Sequence, residues 1–193
     1  VTSFEGCTDD ATIALGFYPV VIVNPATLES CYIELAPTTA AFDLTTATVT
    51  SQTGITKLFY TTLANATAQT SPIPNPTNYI TTSREVYVRV TNTNECWAIA
   101  KITLIVLPPV KSTVLKDKTI CMEDRTTLDA GAGFLSYEWS TGAKTQIITG
   151  VAVGTYWVKL QTGKCFTIQN VNVYPSNQPI ISTVDITNNS VTI

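Results

Sequence analysis

One signature occurs twice in this sequence, and it restricts the fold more than any other feature. Tyr87-Val88-Arg89-Val90 leads through a polar stretch to Cys96, and Tyr156-Trp157-Val158-Lys159 leads to Cys165; in both, the Tyr stands nine positions before the Cys. After each Cys comes an alternating run, Ala98 to Leu107 or Phe166 to Val173, which ends at Pro108 or Pro175. Self-similarity of this kind means tandem modules. A truncated third copy is expected at the amino end, where Cys7 precedes Pro19 by twelve positions, the gap that separates Cys96 from Pro108. The expected organisation is therefore the tail of a preceding module over 1–24, whole modules over 25–107 and 108–175, and the start of a following module over 176–193.

Within each module the pattern has the period of strands. In Val86-Tyr87-Val88-Arg89-Val90 the three valines share one face, with Tyr87 and Arg89 on the other. Tyr156, Val158 and Leu160 share a face in a second run, and Ile102, Leu104 and Val106 in a third. Such β-branched and aromatic alternation suits a half-buried pleated surface. No window of ten or more residues holds an apolar helical period. Ser71-Pro72-Ile73-Pro74-Asn75-Pro76 is excluded from a central strand, because proline has no ladder donor. Asn92-Thr93-Asn94-Glu95 and Gln161-Thr162-Gly163-Lys164 read as hairpin loops, and Gly131, Gly133 and Gly142 as turn glycines. Several short strands in 70–80 residues predict an all-β chain of tandem immunoglobulin-like β-sandwiches.

Composition removes whole classes of chemistry. The chain of 193 residues contains no histidine, so Ser-His-Asp and Cys-His catalysis and His-ligated zinc are excluded. Eleven Lys+Arg against fourteen Asp+Glu give a net charge of −3, which leaves no basic surface to track phosphates, and no nucleic-acid partner is expected. Mean hydropathy is +0.20, yet the apolar runs break within about six residues, far short of the ~18 that a spanning helix needs. No membrane insertion is expected. The first residue is Val1 and the one methionine is Met122, so a piece of a longer, processed protein is expected.

Five cysteines are an odd number, and the repeat suggests how to divide them. Each module has one Cys near its start and one in its last hairpin, which predicts one disulfide per module: Cys31 with Cys96, and Cys121 with Cys165. Cys7 is left unpaired in this fragment. Enclosed loops of this size would stabilise each module by roughly 4 kcal/mol on the chain-entropy account. Disulfides imply an oxidising compartment. The competing reading is buried free thiols; zinc is disfavoured by the lack of a C-x-x-C pair.

Acidic clusters at Asp9-Asp10, Asp117 and Glu123-Asp124 contain oxygen ligands of the type calcium uses between modules, but no D-x-D-x-D-G loop accompanies them. Solvated loop carboxylates and no cofactor are the expectation. No spacing selects a glycosidase pair. Trp139 is expected to pack over a Cys121–Cys165 bridge rather than to face sugars. Trp157 should point outward, since its neighbours take the core face, and with Trp97 it is the candidate contact surface.

The segments Thr127-Leu128-Asp129-Ala130-Gly131, Phe134 to Gly142 and Gly154-Thr155-Tyr156-Trp157-Val158 together resemble an immunoglobulin/PKD-like repeat of large Bacteroidota surface proteins of the Flavobacterium type. Phe42-Asp43-Leu44-Thr45, Ile73-Pro74-Asn75-Pro76-Thr77 and Val86 to Val90 resemble a companion repeat of the same proteins. The resemblance implies export to the cell surface or medium by type IX secretion, and a carboxy-terminal sorting domain entered from 176–193. It implies a non-enzymatic stalk in an adhesin, most simply a gliding-motility adhesin. The implied partners are neighbouring modules, the secretion and gliding machinery, and a surface glycan or substratum. The alternative is a carbohydrate-binding accessory module of a secreted polysaccharide-degrading enzyme. Neither reading supplies catalytic residues.

Overall fold

A computed structural model describes residues 12–13, 16–17 and 19–176, with the backbone of 185–187 and 190–192. The expectations for Cys7, Asp9-Asp10 and most of 176–193 lie outside the described residues. The chain divides into two compact units between Val106 and Leu107, except that Cys31–Thr38 groups with the second.

The first sheet contains β1 (Ala26–Ile33), β2 (Ala36–Phe42), β3 (Ile55–Tyr60), β4 (Tyr79–Thr82), β5 (Arg84–Asn92) and β6 (Trp97–Leu107). Their spatial order is β3-β5-β6-β1-β2-β4. The alternation in β5 works as the sequence implies. Val86, Val88 and Val90 are fully buried and pair across the ladder with Ile102, Ala100 and Ala98 of β6. Ala40 and Phe42 of β2 join the same core, along with Phe59, Leu44 and Val49. One sheet thus supplies both layers of a sandwich.

The proline-rich loop 71–76 stays outside the sheet. A six-residue helix, α1 (Leu63–Ala68), precedes it and is N-capped by the Thr62 side chain. It is too short to show a helical period, which is why the sequence gives no sign of it. The segment before β1 also packs on this unit: Val21 belongs to its core, and Asn24 N–H donates to the Val49 carbonyl at 2.7 Å.

The second unit repeats the plan. Its strands are β7 (Lys118–Ile120), β8 (Thr126–Asp129), β9 (Ser136–Trp139), β10 (Ile147–Val151), β11 (Gly154–Thr162) and β12 (Cys165–Pro175). The four-stranded sheet β7-β12-β11-β9 has the order of β1-β6-β5-β3, and the antiparallel pair β8–β10 corresponds to β2–β4. The match extends to length: nine and eleven residues in β5 and β6, nine and eleven in β11 and β12. Leu128, Trp139, Val158, Leu160, Val171 and Val173 form the core. Two short strands, β13 (Asp185–Thr187) and β14 (Ser190–Thr192), form a separate antiparallel hairpin. The chain is all-β, with two tandem immunoglobulin-like sandwiches.

In the second unit the segment after Pro109 runs beside β12 without forming a ladder. Side chains supply the missing partners. Val110 N–H donates to Thr167 Oγ1 at 3.2 Å, and Gln169 accepts from Ser112 N–H and donates to its carbonyl. Asp117 then accepts the Asn172 N–H at 2.7 Å. Thr167 is buried for this reason: its hydroxyl has a partner, so its burial carries no unmet hydrogen bond.

Turn chemistry accounts for two glycines. Gly131 has φ +77°, and a Cβ there would lie 2.7 Å from Val114 Cγ2; the turn accepts only glycine. The Asp129 carboxylate accepts from Gly131 N–H at 2.7 Å and from Gln146 Nε2 at 2.9 Å. These bonds, the Gln146 one first, hold its carboxyl below its ordinary pKa. Gly163 (φ +57°) makes the two-residue turn between Thr162 and Cys165, where positive φ matches the twist of the strands.

Candidate functional site

No catalytic residues are predicted, so the sulfurs are the site to build. The cysteines do not pair module by module. Cys31 of β1 is bonded to Cys165 at the start of β12, with Cα atoms 5.5 Å apart and 134 residues between them in sequence. Among the described residues this is the one disulfide; Cys96 and Cys121 are free thiols. The expected Cys31–Cys96 and Cys121–Cys165 bonds are therefore incorrect, and so is the expectation of one bond inside each module.

Strand direction explains the error. β7 and β12 are parallel, with Val173 opposite Lys118 and Pro175 opposite Ile120. Cys121, directly after β7, lies at the far end of β12, where Ser176 N–H bonds the Ile120 carbonyl and Ser176 Oγ is 3.6 Å from Cys121 Sγ. Cys165 occupies the near end. Ten residue steps at about 3.3 Å put roughly 33 Å between the two ends, against a Cα reach of about 7 Å for a disulfide. No rotamer change closes that gap. Equal spacing in the repeats marks equivalent positions, not bonded partners.

Cys96 stands where Cys165 does, at the head of the last long strand of its unit. Asn92 shapes the preceding turn: its Oδ1 accepts the N–H groups of Asn94 and Cys96, both at 3.0 Å. Cys121 is exposed and Cys96 half-buried. Cys31 lies near the end of β1, and Cys121 directly follows β7.

The tryptophans take different roles. Trp139 is 1% exposed and its Nε1 donates to the Thr145 carbonyl at 2.8 Å. It packs in the core, as expected, but no Cys121–Cys165 bridge lies beneath it. Trp157 is 39% exposed and stands opposite Asn170 of β12. Phe166 and Ile168 are exposed as well, and the Lys159 ammonium lies 4.6 Å from the Phe166 ring centroid. Trp97 is about half exposed, with its ring 3.8 Å under the Arg89 guanidinium.

Arg89 is the residue that the alternation pattern misplaces. Its position beside Tyr87 suggests a solvated outer face, yet it is only 7% exposed. Nη1 donates to the carbonyls of Ala66 and Thr67 at the end of α1. With its amide turned to match, Gln69 Oε1 accepts from Arg89 Nε at 2.8 Å. The guanidinium thus satisfies the last helix carbonyls and carries Trp97 as a lid. Two-strand periodicity cannot foresee a helix laid over the outer face. Trp97 is accordingly a packing partner as well as a surface residue.

The acidic clusters do not converge. Among the described residues no group of three or more metal-ligating side chains occurs, and Asp117 is engaged with Asn172 and with the Tyr174 hydroxyl.

The comparisons bear on the sulfur geometry. Residues 27–110 match a family model described as "Flavobacterium inter-domain disulphide bond domain". That match covers the first unit's strands and includes Cys31 and Cys96. No curated protein matches the chain. Among solved structures, the titin Z1Z2 domains in complex with telethonin are similar at 12% identity and TM-score 0.29, over 82% of this chain and 95% of that one. Sidekick-1 immunoglobulin domains 1–4 are similar at 14% identity and TM-score 0.27, over 79% of this chain and 49% of that one. The first four immunoglobulin domains of Dscam1 isoform 6.9 are similar at 11% identity and TM-score 0.26, over 83% and 48%. Fold and family match together describe a structural module of immunoglobulin type.

Proposed function

We propose that the chain is a covalently braced spacer in an exported cell-surface adhesin, of the gliding-motility kind that the sequence resemblance implies, and that it carries no catalytic activity. The observation that supports this most is the Cys31–Cys165 bond. It closes a loop of 134 residues, a covalent brace that suits a spacer. A disulfide persists in an oxidising compartment, in keeping with export to the surface or medium by type IX secretion. The partners are then the neighbouring modules and the export machinery. The test is thiol mapping on intact cells with a membrane-impermeant maleimide, before and after reduction. Labelling of Cys31 and Cys165 only after reduction, at the cell surface, is the expected outcome; labelling without reduction or only after lysis overturns the proposal.

One observation favours the carbohydrate-binding alternative: the outward-facing Trp157 opposite Asn170, on a strand pair whose exposed side chains include Ile168 and Phe166. A glycan array separates the two readings. Binding that disappears in Trp157→Ala selects the carbohydrate module, and the absence of binding to any glycan selects the spacer.

A further inference from the structure

The two units carry the same outer strand face, and only the first unit covers it. In the first, Phe59 of β3 stands opposite Val88 of β5; in the second, Trp139 of β9 stands opposite Val158 of β11, and all four are buried. Aligning those pairs puts Lys159 at the position of Arg89 and Trp157 at that of Tyr87. On the neighbouring strand it puts Phe166 and Ile168 at the positions of Trp97 and Ile99. Each unit has a cation over a ring there: Arg89 with Trp97, and Lys159 with Phe166. In the first unit the segment between β3 and β4, residues 61–78, brings α1 over this face, and Arg89 is buried against the Ala66 and Thr67 carbonyls. The corresponding segment of the second unit, 140–146, is much shorter and contains no helix. Trp157, Phe166 and Ile168 stay exposed as a result.

We propose that this uncovered face of β9, β11 and β12 packs on the same face of a second copy of the chain, about a two-fold axis. The charges on it are self-complementary. Glu138 stands opposite Lys159 on the ladder, with their charged atoms 3.9 Å apart and both side chains partly exposed. A two-fold axis beside that pair sets Lys159 of each copy against Glu138 of the other, since an isologous contact repeats every pairing in the reverse sense. Trp157, Phe166 and Ile168 supply the apolar and aromatic centre that such an interface needs. The polar groups around them are already matched within the face. Ser136 Oγ donates to Gln161 Oε1 at 2.8 Å, Gln161 Nε2 donates to the Gly163 carbonyl, and Thr155 Oγ1 donates to Asn172 Oδ1 at 2.9 Å. Groups matched in this way enter a dry protein contact without unmet hydrogen bonds, whereas a sugar would need them for its own hydroxyls. In the first unit, too, what lies on the equivalent face is polypeptide. The pairing goes beyond the spacer reading, because it sets two spacers side by side.

The test is analytical ultracentrifugation of the 193-residue chain, with its free thiols capped by iodoacetamide so that no dimer is a disulfide. A reversible dimer that predominates at about 100 µM is the expected result. Lys159→Glu and Glu138→Lys each set like charges against one another across the axis, and each should weaken the dimer at least about tenfold. Mixed together, the two variants should pair with each other, because one then presents two acids and the other two bases. Trp157→Ser should also dissociate the dimer. Lys101→Glu, the same change of charge on an exposed side chain of the first unit, should leave it intact. Thermal melts close to that of the parent show that the variants are folded. A chain that stays monomeric at this concentration overturns the proposal, whether a glycan array then assigns the face to a sugar or finds no ligand. A dimer that survives both Lys159→Glu and Trp157→Ser uses another surface and overturns it as well, as does failure of the two charge variants to pair. None of these outcomes involves the Cys31–Cys165 bond, so the spacer reading is decided separately, by its own thiol map.

Discussion

Cys31→Ser isolates what the long-range bond contributes. The bond closes a loop of 134 residues, for which the chain-entropy relation gives about 5 kcal/mol at 25 °C. The dependence is logarithmic, so counting only the roughly 60 residues of the second unit still gives about 4 kcal/mol. For a chain of this length, each kcal/mol shifts the melting temperature by about 2–4 °C, so Cys31→Ser should melt roughly 10–20 °C lower than the oxidised parent. Calorimetry of both proteins measures this, with Cys96→Ser as the control that leaves the bond intact and melts within a few degrees of the parent. Dithiothreitol added to the parent should reproduce the variant. A parent whose bond is verified by mass, yet whose melt is unchanged by Cys31→Ser, would refute the argument that the loop is long and flexible when the modules unfold.

Three further outcomes follow from single side chains. Arg89→Ala leaves the Ala66 and Thr67 carbonyls without their donor and Trp97 without its cation, and should cost about 2–4 kcal/mol in urea unfolding; Arg89→Met, which fills the space without donating, should recover only part of it. Gly131→Ala meets both positive φ and the Val114 methyl and should lower stability by more than about 1 kcal/mol, whereas Ala at open, exposed Gly16 should change it little. Because the native-state pKa of Asp129 is depressed, its contribution is present above its unfolded value and is lost as pH falls through the lower native value; Asp129→Asn should therefore flatten the acid limb of the stability–pH curve, read by chemical denaturation from pH 6 to pH 2.

The strand content was legible because Val86, Val88 and Val90, and Val158 and Leu160, alternate without interruption and are buried as that alternation requires. The hairpin turns were legible from Asn92 and Gly163, whose local chemistry decides the backbone. The helix at Leu63–Ala68 was not legible, and the burial of Arg89 follows from it, because a single helical turn and a half leaves no periodic trace. The cysteine partners were illegible for a different reason. Spacing along the chain reports which positions correspond, but whether two of them meet depends on the relative direction of β7 and β12, which no residue pattern encodes. Trp157 faces outward by simple parity, opposite in sense to Val158 and Leu160.

The Cys31–Cys165 bond also sets the path of mechanical tension. When the ends of the chain are pulled, force entering at Cys31 crosses the sulfurs to Cys165, and the 134 positions between them are bypassed. At about 3.5 Å per extended residue, roughly 470 Å of potential lengthening is withheld for as long as the bond survives. Reduction would return those positions to the load path, to lengthen as the folded strands give way, without cutting the backbone.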